Sequence, residues 1–301
     1  MRRPAVLLTL LALIWGASFM LIKIADRQVS PATLILGRLG SAALLLTVIA
    51  VVRLGPRATL AETRAAWRWL VVVGLVNTAV PFWLLSWSEK RIDSGLASIL
   101  QAGVPMFSAL LAFGFFREAR VGGVRLVGLV VGFVGVALLV GAQPHAKLLA
   151  AFAVVCVAFC YAAGQLVAGR HLGGTPPLVV ALASTAVSTL AALPAGILQA
   201  PAGMWHGETV ASILVLGLVG TAVAYLLFFA LIQKAGPVYA GLVTYLVPPM
   251  ALGYGALFLS ERFGASAFAG LFLILGGVAM ATGSVRLASL RERRAEAREA
   301  T

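Results

Sequence analysis

Residues 74 to 80 read GLVNTAV, and residues 217 to 223 read GLVGTAV. Six of the seven letters agree at an offset of 217 minus 74, or 143 residues. In so apolar a chain one such match is weak by itself and needs a second agreement at the same spacing. The offset carries Val104-Pro105 onto Val247-Pro248 and Glu118 onto Glu261 without a gap. An internal duplication is the expectation that organises the rest.

The bulk composition sets the broad class. Of 301 residues, 61% are hydrophobic and only 11% charged, with a mean hydropathy of +1.02. A soluble domain cannot hide that much apolar surface, so the chain reads as an integral membrane protein with lipid as its partner. The net charge of +13 does not point to nucleic acid, because the Lys and Arg residues sit between apolar runs rather than on one soluble face. Cys156 and Cys160 lie four apart in one apolar run with no further ligands near them, which reads as core filling. The basic start and apolar centre of MRRPAVLLTLLALIWGASFMLIK suggest a signal peptide, but Ala5 to Ile22 is long enough to span, so an uncleaved first span is expected.

Continuous apolar runs near residues 4–24, 31–52, 68–88, 94–116, 122–142, 147–169, 176–198, 209–232, 237–259 and 265–285 predict ten transmembrane helices. The fold class is therefore all-α, integral to the membrane, with short connections such as Asp26-Arg27, Gly55-Pro56 and Gly236-Pro237. With the N-terminus in the cytoplasm, 16 Lys and Arg residues fall inside. Only Lys23, Arg27, Lys90, Arg91, Lys147 and Arg262 fall outside, and Arg38 lies within a span. That asymmetry predicts cytoplasmic N- and C-termini.

An offset of 143 residues covers five spans, and five is odd. Residues 1–142 and 143–285 are thus expected to form two five-helix repeats crossing the membrane in opposite senses, followed by a charged cytoplasmic tail at 286–301. Two halves related in this way can close one gate while opening the other, the arrangement that alternating-access transport uses.

Several residues then carry a resemblance. Trp15-Gly16 lies in a first span that ends at Lys23, and Pro31 and Gly37-Arg38-Leu39 lie in the second. Pro105 is followed by Glu118, and a second set gives Tyr161, Pro248 and Glu261. With the five-plus-five layout, the chain outside its tail resembles the EamA-type branch of the drug/metabolite transporter superfamily. The resemblance implies a substrate cavity between the halves, lined by spans 1 to 4 and 6 to 9, and export of amino acids or similar small metabolites.

Candidate transport residues follow from the cost of polar groups in hydrocarbon. Arg38 is the one charge well inside a span, where an unpaired charge costs about 2.5–3.5 kcal/mol on insertion scales. It reads either as a counter-charge for a substrate carboxylate or as a structural lock bonded to carbonyls of a neighbouring helix. Its counterparts near position 181 are apolar, so the charge is one-sided. Trp15, Trp83, Trp87, Tyr161, Tyr225 and Tyr245 carry polar handles that need partners and read as cavity lining or as helix packing. Trp67, Trp69 and Trp205 read as interfacial anchors. Asn77, Thr78, Gln101, Gln165 and Thr221 complete the candidate lining, with Asn77 and Gln101 foremost because amides are the costlier to place. Pro81, Pro105 and Pro248-Pro249 fall within spans and read as hinges or as fixed kinks that shape the cavity. Gly128 with Gly132, and Gly277 with Ala281, permit close helix approach, expected within a monomer rather than across a dimer.

All ten acidic residues fall in loops, tails or span ends. A carboxylate in mid-span is the usual exchanging site of proton-coupled carriers, and the first span here lacks one, so gradient-driven efflux is expected. Asp26, Glu89 and Asp93 are the carboxylates left at cavity mouths to couple to protons. His145, His171 and His206 lie in loops, and no HExxH, Walker A or G-x-S-x-G pattern occurs, which argues against an intramembrane enzyme. No cofactor and no metal is called for. A sugar-phosphate or nucleotide-sugar carrier is the alternative within transport, and it needs several cavity cations where a single Arg is offered. The expected place is a bacterial inner membrane.

Overall fold

A computed structural model describes residues 2–115, 123–203, 206–235 and 237–281. Arg117, Glu118, Arg120, Trp205 and the tail at 286–301 lie outside the described residues. Among those described the chain is helical and contains no strand. Eight helical stretches are long and apolar enough to cross a membrane, and two shorter apolar helices run over Leu126–Gly141 and Ala265–Ala281.

In chain order the α-helices are α1 (Arg2–Ala25), α2 (Pro31–Leu54), α3 (Pro56–Gly74), α4 (Val80–Glu89), α5 (Ser94–Gln101), α6 (Val104–Phe115) and α7 (Val124–Gly141). They continue as α8 (His145–His171), α9 (Pro177–Leu198), α10 (Gly207–Gly217), α11 (Ala224–Ala235), α12 (Pro237–Gly241), α13 (Val243–Phe258) and α14 (Ala265–Ala281). Two π-helical turns, Leu75–Ala79 and Leu218–Val223, join α3 to α4 and α10 to α11.

Local chemistry sets several boundaries. The Ser30 hydroxyl accepts from the Thr33 amide at 3.1 Å and Pro31 opens α2, which satisfies one orphan donor and wastes none. Gly55, at φ 84°, ends α2 in the left-handed region, and Pro56 starts α3 at once. The third span thereby departs from its expected start at residue 68. The Ala, Leu, Glu and Arg residues after Pro56 are good helix formers, so the helix begins a full polar stretch earlier.

The fourth and ninth spans are each broken, and not at the prolines. Pro105 is the second residue of α6, where its missing N–H costs nothing, and Pro248-Pro249 lie inside a continuous α13. Pro81 is buried at the start of α4, just past a π turn.

The largest buried cluster draws on α1, α2, α4, α5, α8, α13 and α14. The outer surface carries Leu44, Val52, Leu198, Leu257 and Phe272, a surface suited to hydrocarbon rather than water. α2 packs on α9 and α7 on α14, while α1 packs on α13 as α8 does on α6. Likewise α4 lies against α8, and α11 and α10 lie against α1. Each of these pairs becomes another of them when 143 is added to or taken from both members.

The α7–α14 contact is made by glycines. A Cβ on Gly277 would stand 2.5 Å from the Gly132 nitrogen, and one on Gly128 would stand 2.5 Å from the Ala281 nitrogen. The two small-residue motifs therefore pack against each other within one chain, backbone to backbone.

Candidate functional site

The repeated heptapeptide forms the same irregularity twice. A π turn widens the helix by one residue, displaces the hydrogen-bond ladder and is common where function is built. Within the second turn Thr221 Oγ1 donates to the Leu216 carbonyl at 2.9 Å, five residues back. That leaves its lone pairs facing α2, and Arg38 Nε donates to it at 3.1 Å.

Arg38 is 6% exposed and lies with its guanidinium 4.4 Å from the centre of the Phe82 ring. A ring face attracts a buried cation by about 2 kcal/mol, comparable with the insertion cost that a lone arginine brings. Tyr161 and Tyr225 lie within electrostatic reach of it, and Tyr161 also meets Phe82 edge-on at 6.3 Å. The terminal Nη groups make no hydrogen bond to a described residue. The guanidinium is thus held by one side-chain hydroxyl and one ring, and its two-pronged face is uncommitted.

The 143-residue offset gives this cluster its logic. Thr78 corresponds to Thr221 and Phe82 to Tyr225, so Arg38 stands among two pairs of equivalent residues, while its own counterpart is Ala181. Thr221 is engaged. Thr78 is fully buried beside Tyr225, yet its hydroxyl is not in hydrogen-bonding geometry with any described group. One cation on a doubled scaffold has bonded to one of two equivalent hydroxyls.

Of the residues chosen from sequence, Arg38, Thr78, Tyr161, Thr221 and Tyr225 come together here. Asn77 lies alongside, tight against Gly164 of α8, with its Oδ1 buried and unbonded. Gln101 Oε1 and the Tyr245 hydroxyl are likewise buried without a partner. Trp15 packs on Phe228, with ring centres 5.4 Å apart, in a separate apolar cluster. Trp87 lies at the core edge with Arg91 3.9 Å above its ring. Trp83, 44% exposed, and Gln165, also exposed, are not brought into the group. Trp69, read as an anchor, stacks on His171 at 3.5 Å. Phe82 escaped the sequence reading because a phenyl ring carries no polar signal. Its offset to Tyr225 could have found it.

A second feature lies where the α1–α2, α4–α5 and α13–α14 connections meet. A cavity of about 530 Å3 is lined by Lys23, Asp26, Arg27, Glu89, Lys90 and Asp93, and across from them by Glu261 and Arg262. Asp26 and Glu89 do not sit at the surface, as carboxylates at span ends would be expected to. Asp26 is 5% exposed and Glu89 0%. Asp26 accepts from the Ser86 hydroxyl at 2.8 Å, and burial pushes its pKa up to about 7 against the opposing effects of that hydroxyl, Lys90 and Lys23. Lys23 spends its ammonium on the backbone, donating to the Glu89 carbonyl and, at 2.5 Å, to that of Ile92. Lys90 does likewise with the Val29 carbonyl at 2.7 Å.

Glu261 closes this end. Its carboxylate accepts from the Ser94 amide at 2.8 Å, the Ser94 hydroxyl at 2.9 Å and the Gly95 amide at 3.2 Å. It thereby caps α5 from α13's far end, where Asp93, the local candidate, makes no capping bond. Ser260, the one non-glycine described residue with positive φ, at 57°, turns the chain so that Glu261 reaches.

Comparison with known proteins adds the following. The profile of the EamA-like transporter family matches residues 3–141 and again 148–283. The chain is 27% identical to a probable terminal-alkyne amino-acid exporter of Streptantibioticus cattleyicolor, over 84% of each. It is 25% identical to a probable amino-acid metabolite efflux pump of Escherichia coli, over 92% of this chain and 94% of that one. One solved structure shares the fold, with a TM-score of 0.67 at 18% identity, covering 96% of this chain and 99% of the other.

Proposed function

This chain belongs to the EamA-like transporter family, and from that premise we propose that it exports amino acids or closely related zwitterionic metabolites by alternating access. Ten transmembrane helices, arranged as two inverted repeats over residues 1–142 and 143–285, supply the two gates. In this reading both termini are cytoplasmic, the membrane is a bacterial inner membrane, and the cavity at Lys23 and Asp26 faces outward. The chain works as a monomer and carries no cofactor.

One observation carries the substrate class. A buried guanidinium, fixed by Thr221 and Phe82, presents uncommitted Nη groups. That fork matches a carboxylate in a two-bond geometry which an ammonium cannot copy. The lock reading would need carbonyl acceptors on a neighbouring helix, and the described hydrogen bond goes to a side chain instead. Relatives named as an amino-acid exporter and an amino-acid metabolite efflux pump support the same class. A phosphorylated substrate is disfavoured because the cavity offers four acidic residues beside its four cationic ones.

The test is counterflow in proteoliposomes with a panel of L-amino acids, amines and phosphorylated sugars. Arg38→Ala should lower amino-acid flux by about 10- to 100-fold, as loss of a charge-assisted pair of about 1.5–3 kcal/mol implies. Arg38→Lys should recover only part of it. Equal flux from Arg38→Ala, with normal folding by size-exclusion profile, would remove Arg38 from the pathway. Chemical alteration of the solute would overturn transport itself.

A further inference from the structure

Glu89 is the most deeply buried acid among the described residues, and both its carboxylate oxygens lack a hydrogen-bond partner. It nevertheless lines the cavity. Lys23 bonds the backbone of Glu89 and leaves its side chain alone. The charged groups facing Glu89 are Asp26 and Lys23 of the first connection, Glu261 from beyond α13, and Arg38 of α2. Lys90, Arg27, Asp93 and Arg262 complete the cavity wall. The duplication does not explain this group. The offset takes Asp26 to Gly169 and Glu89 to Ile232, so the acid pair, like Arg38, is an addition to one half only.

Resting on the zwitterion reading above, we propose that Glu89, with Asp26 beside it, is the coupling site at which a proton and the substrate's ammonium group compete, making transport a proton/substrate exchange. A carboxyl group without hydrogen bonds is tolerated at such depth only when its charge is removed or matched. A proton does the first and an ammonium the second. Arg38 takes the substrate carboxylate, Glu89 takes the ammonium, and a zwitterion is matched at both ends. When substrate leaves, the cavity supplies a proton to the Glu89 oxygen. The O–H bond made on one side of the membrane is broken on the other, so one proton enters for each solute exported. Asp26, hydrogen-bonded to Ser86, stands on the route from the cavity as the relay.

The full chain in lipid vesicles tests this in two ways. With the interior made acidic, a labelled mixture of L-amino acids should accumulate inside by up to about tenfold per unit of pH difference, the limit for one proton per solute. Glu89→Gln should bring that ratio to one, whatever its residual counterflow, whereas a merely structural residue would lower fluxes with and without the gradient alike. Glu89→Asp, which keeps the carboxyl, should retain gradient-driven accumulation and serves where Gln disturbs folding. Infrared spectra of the same vesicles, stepped in pH, should show a carboxylic C=O band that Glu89→Gln removes and Asp26→Asn only shifts. An unchanged gradient ratio in Glu89→Gln, or a spectrum in which that substitution removes no band, overturns the coupling site. Failure of every amino acid in counterflow defeats the substrate reading instead, and the infrared band still decides whether Glu89 holds a proton.

Discussion

Arg38 has no charged counterpart, since the position 143 residues on is Ala181, and the duplicated scaffold surrounds this single cation with equivalent pairs. Sequence located it through the rule that charge in hydrocarbon is expensive. The rule does not say what holds the charge. Only the fold brings Thr221 and Phe82, 183 and 44 positions away, onto it. Asp26 supplies a prediction at this scale. Its pKa is raised from 3.8 to about 7, chiefly by burial, so the folded protein favours the protonated form more than the unfolded chain does. Stability linked to it is therefore fully present below about pH 4 and is lost as pH rises through about 7. Asp26→Asn, which cannot ionise, should raise the thermal midpoint near pH 8 and have little effect near pH 4. A shift independent of pH would contradict the burial of this group.

At the scale of elements, the two π turns and the two small-residue motifs do different work. The π turns were invisible as such in the letters, because nothing in GLVNTAV or GLVGTAV forbids a regular helix. What could be read was that the stretch occurs twice. The glycines were more legible, since a four-residue spacing of small side chains already implies close approach. Gly277→Val should cost about 1–3 kcal/mol or more, seen as a lowered midpoint of heat-induced aggregation, because its Cβ would stand 2.6 Å from the Gly132 Cα. Gly276→Val, where an added Cβ meets nothing within 4 Å, is the control and should be close to neutral. Equal costs at both positions would mean that α7 and α14 do not meet as described.

Across the whole molecule, the Glu261 cap on α5 ties the start of the fourth span to the end of the ninth, one helix from each half. Such a bond is worth about 1.5–3 kcal/mol, strong enough to hold an end closed and weak enough to release. In a background with Cys156 and Cys160 replaced by Ala, Ser94→Cys with Glu261→Cys should cross-link with a short thiol-bridging reagent. The cross-link should abolish flux, and a reducible linker should restore it on reduction. Undiminished flux across the link would mean that this end need not open during transport.

Composition, periodicity and the 143-residue echo by themselves determined that the chain is helical, lies in a membrane and belongs among transporters, because apolar length and repetition are properties of the letters in order. They also picked out Arg38, Thr78 and Thr221, since the cost of a polar group in lipid depends on the residue and its run alone. The tertiary structure decided which of these meet, that Trp83 and Gln165 stand apart, and that Glu89 is shut away. Burial at a span end is a matter of which neighbours fold over it, and those neighbours come from α1, α2 and the segment after α13, distant in the chain and adjacent only in space.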